Sequence, residues 1–186
     1  MDEPNASRGS RKNAHCFELS VAGLKRTPGA CVDFRLQGGF ASGLATGLVE
    51  VPPDRDVIVE GRLESVGDGI LASGTVRTTY DVQCSRCLTP FTRDAAVEVQ
   101  ELFVYAEHAE EFDDEEAGRI HDEAIDLEDL VRDAIILDQP LICVCREECL
   151  GLCPQCGADL NADPGHDHGT GGDTRWLTLA EWGRMS

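Results

Sequence analysis

No run of this 186-residue chain approaches the roughly 18 consecutive apolar residues that a membrane-spanning helix requires, which excludes a helical membrane protein. Residues 1–14 are polar and hold no apolar signal core, so a short disordered arm on a cytoplasmic protein is expected there. Without a secretory signal, a disulfide framework is the weaker reading of any cysteines. Gly-x-Ser-x-Gly, a phosphate-binding glycine loop and His-Glu-x-x-His are all missing, and no other catalytic constellation stands out. No internal repeat recurs at a fixed period.

Basic residues are scarce. Sixteen Lys and Arg face 35 Asp and Glu, for a net charge of −19. The deficit is one-sided: residues 1–93 carry eleven basic and eleven acidic side chains, residues 94–186 five and 24. Such negative charge opposes contact with phosphate backbones. If the protein meets RNA, it should do so with its first half, or through a basic protein partner drawn to the second. Arg77, Arg86 and Arg93 are the candidate RNA contacts, the plainer alternative being solvent-facing strand residues.

Cysteine is plentiful. Five of the nine lie between Cys143 and Gly157, and two more form the pair Cys84-Ser-Arg-Cys87. Cys153-Pro-Gln-Cys156-Gly157 has zinc-knuckle spacing, in which two thiolates on a turn opened by Gly grip one tetrahedral ion. The candidate chelating pairs are Cys84/Cys87, Cys145/Cys149, Cys153/Cys156 and His166/His168. Two tetrahedral sites need eight ligands, and four pairs supply them. The favoured grouping joins Cys84/Cys87 to Cys145/Cys149, and Cys153/Cys156 to His166/His168. A single local site of Cys145, Cys149, Cys153 and Cys156 is the rival, so one or two zinc ions are expected. Cys16, Cys31 and Cys143 read as small buried residues.

Around these motifs the chain alternates like sheet. Strands are expected at Cys16–Ala22, Val57–Val66, Ile70–Gln83 and Ala95–Tyr105, with a hairpin turn at Gly67-Asp-Gly69 and Pro90-Phe91 closing the turn after Cys87. The Gly-rich stretch 38–47 offers too little side chain to pack well. Asp126–Asp138 is the clearest helix: Asp126 can cap it, Leu127, Leu130, Val131, Ala134 and Ile135 follow helical spacing, and Gln139-Pro140 stops it. A last short helix is expected at Thr178–Trp182. The expected organisation is an arm (1–14), a β-rich part with the first Cys pair (15–106), an acidic linker (107–124), and a helix with a Cys-rich lobe (125–186). This makes an α+β fold, mainly antiparallel sheet with one principal helix and a small zinc-stabilised C-terminal lobe.

Cys-x-x-Cys also serves thiol oxidoreductases, where a helix N-terminus lowers the pKa of the first cysteine. Here Pro90 discourages a helix running from Cys84-x-x-Cys87, so redox chemistry is the lesser reading. A catalytic zinc keeps an open coordination position, whereas these pairs add up to closed sets.

The ordered motifs Cys84-x-Arg-Cys87-Leu-x-Pro90, Ile125-Asp-Leu-x-x-Leu-Val131, Ile136-Leu-x-x-Pro140, Cys149-x-Gly-Leu-Cys153-Pro-x-Cys156-Gly-x-x-Leu160-Asn161 and Asp173-x-Arg175 resemble those of the YceD family over residues 15–182. The resemblance implies a role in accumulation of large-subunit ribosomal RNA, without catalysis, with the rRNA, its precursor or a ribosomal protein as partner. Many members of that family carry Cys-x-Cys where this chain has His166-Asp-His168, an exchange of zinc ligands that supports a site there. Others lack the Cys-Pro-x-Cys-Gly pair but keep the upstream one, which implies separable sites. The alternatives are a zinc-dependent thiol-redox protein and an acidic adaptor for a basic ribosomal protein.

Overall fold

The computed structural model describes residues 16–168, apart from Lys25, Leu48, Asp54 and residues 113–116. The arm at 1–14, the helix expected at Thr178–Trp182 and the Asp173-x-Arg175 motif lie outside the described residues.

Alternating apolar residues make most of the chain strand. The strands are β1 (Glu18–Ser20), β2 (Cys31–Gly38), β3 (Leu44–Thr46), β4 (Val49–Val51), β5 (Val57–Ser65), β6 (Gly69–Gln83), β7 (Pro90–Val104), β8 (Gly118–Arg119) and β9 (Ala124–Asp126). One helix, α1, spans Glu128–Asp138, and a 3-10 turn covers Ala106–Glu111. A seven-stranded sheet runs β2-β5-β6-β4-β3, with β7 along the other side of β6 and β8 beside β7. Among the described residues only β7 and β8 run parallel; β1 and β9 make a separate antiparallel pair. The fold is thus of the expected class, mainly antiparallel sheet with a single α-helix among the described residues.

The 15-residue β6 organises the sheet. Its even-numbered residues Ile70, Ala72, Val76, Thr78, Tyr80 and Val82 are buried on one face, as a period of two dictates. β7 pairs with it along its full length, from Gly69↔Val104 to Gln83↔Pro90. Pro90 and Phe91 therefore begin β7 instead of closing the turn, a position where proline's missing N–H costs no ladder bond. The expected first strand shrinks to Glu18–Ser20. The Gly-rich stretch also packs better than its composition implies, since Phe40 and Leu44 are both buried in the core.

Helix α1 lies over this core through Leu127, Val131 and Ile135, one stripe at i, i+4, i+8. Burying each such side chain contributes about 1.5–3 kcal/mol. The helix begins at Glu128, two residues later than expected, with Leu127 and not Asp126 as its N-cap and no side-chain capping bond. Asp126, at the end of β9, accepts the Glu128 N–H at 2.9 Å ahead of the helix, and Arg132 pairs with Glu128 at 2.6 Å one turn on. At the other end the Tyr80 hydroxyl donates toward the Ile135 carbonyl (3.3 Å) and Asp138 Oδ2 (3.2 Å). This satisfies a carbonyl of the last turn and fixes the helix exit beside β6. The end of β6 delivers Cys84, and the chain leaving α1 delivers Cys143 and Cys145. The two halves of a ligand set are brought together by this one helix-to-strand contact.

Candidate metal centre

Cys84-Ser85-Arg86-Cys87 forms a tight turn at the tip of the β6–β7 hairpin. The Leu88 N–H donates to the Cys84 carbonyl (2.9 Å) and the Cys84 N–H to the Thr89 carbonyl (3.0 Å). Cys153-Pro154-Gln155-Cys156 repeats the pattern: Gly157 N–H to Cys153 carbonyl, Cys153 N–H to Ala158 carbonyl, both 2.8 Å. Each turn aims two sulfurs at one point.

The segment leaving α1 is laid along the first turn. Ser85 N–H donates to the Cys143 carbonyl (2.7 Å), and Cys143 N–H returns to Ser85 Oγ (3.1 Å). Leu152 N–H donates to the Arg86 carbonyl at 3.0 Å. Close approach at Gly151 is obligatory: with φ of 80°, a Cβ there would lie 2.9 Å from the Arg86 carbonyl oxygen. Cys145 and Cys149 thereby reach Cys84 and Cys87. The Sγ atoms of Cys84 and Cys149 are 3.8 Å apart, and those of Cys87 and Cys145 3.7 Å. Zn–S bonds of about 2.3 Å at tetrahedral angles give an S···S edge of about 3.8 Å. These two edges match that sphere, and all four sulfurs lie within 4.8 Å of one another.

The second group is local. Cys153 Sγ lies 3.2 Å from His168 Nε2, Cys156 Sγ 3.2 Å from His166 Nε2, and the two Nε2 atoms 2.9 Å apart. A Zn–S2N2 tetrahedron has S···N and N···N edges of about 3.6 and 3.3 Å, so this set sits slightly inside that size. Asp163 Oδ2 stands 3.9 Å from Nδ1 of His166, the ring nitrogen left over. A carboxylate behind a histidine is the usual outer support of a ligand. Both groups, Cys84/Cys87/Cys145/Cys149 and Cys153/Cys156/His166/His168, could hold a metal ion.

Electrostatics divides the thiols. Burial opposes ionisation of Cys84, but backbone N–H groups of Cys87, Cys145 and Arg86 outweigh it and bring the thiol down to about 6. Cys87 is lowered by the Thr89 side chain and backbone. Cys145 is pushed up to about 12 by burial and by the neighbouring thiols of Cys87, Cys149 and Cys84. In the second group Cys153 falls to about 6, held by the N–H groups of Gln155 and Cys156. In the first group the N–H and hydroxyl groups that lower Cys84 and Cys87 are opposed at Cys145 by its thiol neighbours, so the set resists full ionisation. A divalent cation resolves that conflict.

Asn161 braces the loop that carries Cys149, a role its place in Leu160-Asn161 did not disclose. Its Oδ1 accepts from Leu150 N–H (2.9 Å) and Arg146 Nη2 (2.8 Å), while Nδ2 donates to Cys149 Sγ at 3.6 Å. The remaining cysteines divide: Cys143 is buried, Cys16 is half-buried, and Cys31 is exposed on β2, against the expectation of burial for all three.

The three arginines do not converge. Arg86 Nη1 donates to the Cys149 (2.9 Å) and Glu147 (3.3 Å) carbonyls, binding the ligand loop to the knuckle. Arg93 faces Tyr80 across the ladder and so shares the core side of the sheet. Arg77, exposed on β6, lies on the opposite side in an open groove with Arg55, Asp56 and Asp94. Among the described residues no helix is long and apolar enough to cross a membrane.

The arrangement defines a small α+β protein with two cysteine-rich sets of four ligand atoms, one tying a hairpin tip to the chain beyond the helix. The chain belongs to the YceD family, described as large ribosomal RNA subunit accumulation protein, whose family model matches residues 72–181. It is 38% identical to an uncharacterised protein of Mycobacterium tuberculosis, over 97% of this chain and 88% of that protein. An uncharacterised protein of Mycobacterium leprae is 33% identical over 81% of this chain and 70% of its own length. The uncharacterised protein YlbN of Bacillus subtilis is 27% identical over 55% of this chain and 60% of its own. No solved structure matches the chain.

Proposed function

We propose that the protein is a non-enzymatic factor for the accumulation of large-subunit ribosomal RNA, acting in the cytoplasm on the rRNA, its precursor or a ribosomal protein. Family membership carries this reading. The ligand sets support its non-catalytic character, because four protein ligands close a tetrahedral sphere whereas a catalytic zinc keeps a position open. In this reading Cys84, Cys87, Cys145 and Cys149 hold one zinc ion, and Cys153, Cys156, His166 and His168 hold the other. The first ion would cross-link segments that are far apart in sequence, and the second would close a local loop.

Since Arg77 and Arg93 lie on opposite faces, a single RNA surface uses one of them, while Arg86 serves the ligand loop. Arg77→Glu and Arg93→Glu made separately identify which: the variant on the RNA face weakens binding and flattens its salt dependence.

The test is sedimentation of the tagged protein in a sucrose gradient of cell lysate, with and without RNase. Co-migration with large-subunit precursors, abolished by RNase, supports direct RNA contact. Co-migration that survives RNase favours the acidic adaptor for a basic ribosomal protein. If the protein sediments only as a small free species and its depletion leaves large-subunit rRNA unchanged, the reading fails.

A further inference from the structure

Strand β2 forms one edge of the sheet, and among the described residues it pairs only with β5. Edge strands of soluble proteins are usually short, or interrupted by proline or inward charges. This one is eight residues long, contains no proline, and alternates cleanly: Val32, Phe34 and Leu36 on the core side, Asp33 and Arg35 on the other. Val32 is 47% exposed, although it faces the apolar side. An open ladder with apolar residues along one side is a docking edge.

We propose that this edge pairs antiparallel with β2 of a second copy of the chain, about a two-fold axis through Phe34. A symmetric antiparallel pair keeps both core faces on the same side, so opposed residue numbers must sum to an even number. Three central registers compete. A centre at Asp33 sets Asp33 against itself, and one at Arg35 sets Arg35 against itself. Centring at Phe34 sets Asp33 against Arg35 of the second copy, twice, with Val32 against Leu36 and Phe34 against Phe34. Like charges directly opposed are destabilising and unlike ones stabilising, so the strand selects its own register.

The charges behind the edge extend this pattern. Arg62 Nε donates to Asp33 Oδ1 at 2.8 Å, and Arg35 pairs with Glu60. Across the junction the row reads Glu60, Arg35, Asp33, Arg62, alternating in sign at every step, and the symmetric row repeats it. The net charge of −19 does not bear directly on this edge, since its excess belongs to residues 94–186 and β2 is separated from β7 by β5 and β6. The paired molecules would share one continuous sheet, running β7-β6-β5-β2 to the axis and back out.

The test uses the full metal-loaded chain in sedimentation equilibrium. Wild type is expected at twice the chain mass, and Asp33→Arg and Arg35→Asp each at the monomer mass. Mixing the two variants restores the dimer, because a strand basic at both positions then faces a strand acidic at both. Wild type monomeric throughout the accessible concentration range overturns the proposal, as does a dimer that both variants leave intact. Hydrogen exchange on wild type gives a check free of folding defects: amides of residues 31–38 should slow as concentration rises. Exchange there that ignores dilution of a dimeric sample also overturns it.

Discussion

Leu88 occupies in the first knuckle the place that Gly157 occupies in the second. Each residue donates its N–H to the carbonyl of the cysteine four positions before it, and each has a positive φ, 60° and 76°. The left-handed conformation costs an L side chain about 1–2 kcal/mol, and glycine nothing. Leu88 returns little of that through packing, since it is 50% exposed. Its strain is sustained by the ligand turn around it.

Exchanging these residues should move stability in opposite directions. Leu88→Gly is expected to stabilise by about 0.5 kcal/mol, the relieved strain being offset in part by glycine's unfolded-state entropy. Gly157→Ala should destabilise by about 1 kcal/mol through backbone alone, because nothing lies within 4 Å of the added Cβ. Thermal melts of the two variants check both signs. A Leu88→Gly protein less stable than wild type would mean that the leucine side chain is held by a contact outweighing its strain.

Asn161 should be worth more than its half-buried position implies. Asn161→Ala leaves the Leu150 N–H without its acceptor and removes a donor from Cys149 Sγ. The expected loss is about 1–2 kcal/mol, with faster zinc release from the Cys84/Cys87/Cys145/Cys149 group. Asn161→Asp keeps the acceptor but sets a negative charge beside Asp159, whose Oδ1 now accepts from Asn161 Nδ2 at 2.8 Å. It should release zinc faster still. Equal release from wild type and both variants would confine Asn161 to loop geometry.

Glu101 supplies a pH signature. Burial, followed by the charges of Asp129 and Asp133 on α1, raises its carboxyl above the usual value of 4.5. A folded pKa above the unfolded one means that the folded state resists ionisation here. The penalty is present above the folded pKa and gone below the unfolded one. Glu101→Gln should therefore stabilise at neutral pH by about 0.5 kcal/mol, the scale of a partly exposed charge pair. The gain should vanish as pH falls below the usual glutamate range. A gain constant across pH would implicate packing instead of charge.

The helix was legible because Leu127, Val131 and Ile135 repeat at helical spacing, and the ligand pairs because chelation requires neighbours a few residues apart. Leu88 was not legible as a knuckle residue, since a left-handed leucine contradicts local preference and is imposed by the turn around it. Nor was the separation of Arg77 from Arg93. Which face each occupies depends on β6–β7 register, and a one-residue slip exchanges the faces. Phe40 looked stranded among glycines, yet it packs on Phe17 at 5.5 Å between ring centroids, a contact between segments that no local pattern connects.

Metal removal should occur in two stages with different consequences. The Cys153/Cys156/His166/His168 group is closed by one short segment and has an exposed thiol in Cys156, so a chelator reaches it first. The other group joins residues 58 and 65 positions apart, with Cys84, Cys87 and Cys149 all buried. Zinc in small structural sites binds with about 10–16 kcal/mol of apparent free energy, comparable to a domain's whole stability. The sheet and α1 nevertheless share a core cluster distinct from the one around Cys84, Cys87 and Cys149. Loss of the second ion should therefore open residues 139–152 to protease while leaving most of the sheet signal in circular dichroism. Native mass spectrometry during chelation should pass through a species holding one ion, still protected at 139–152. Release of both ions in one step, or protection of that segment after both are gone, would remove the cross-linking role assigned to the Cys84 site.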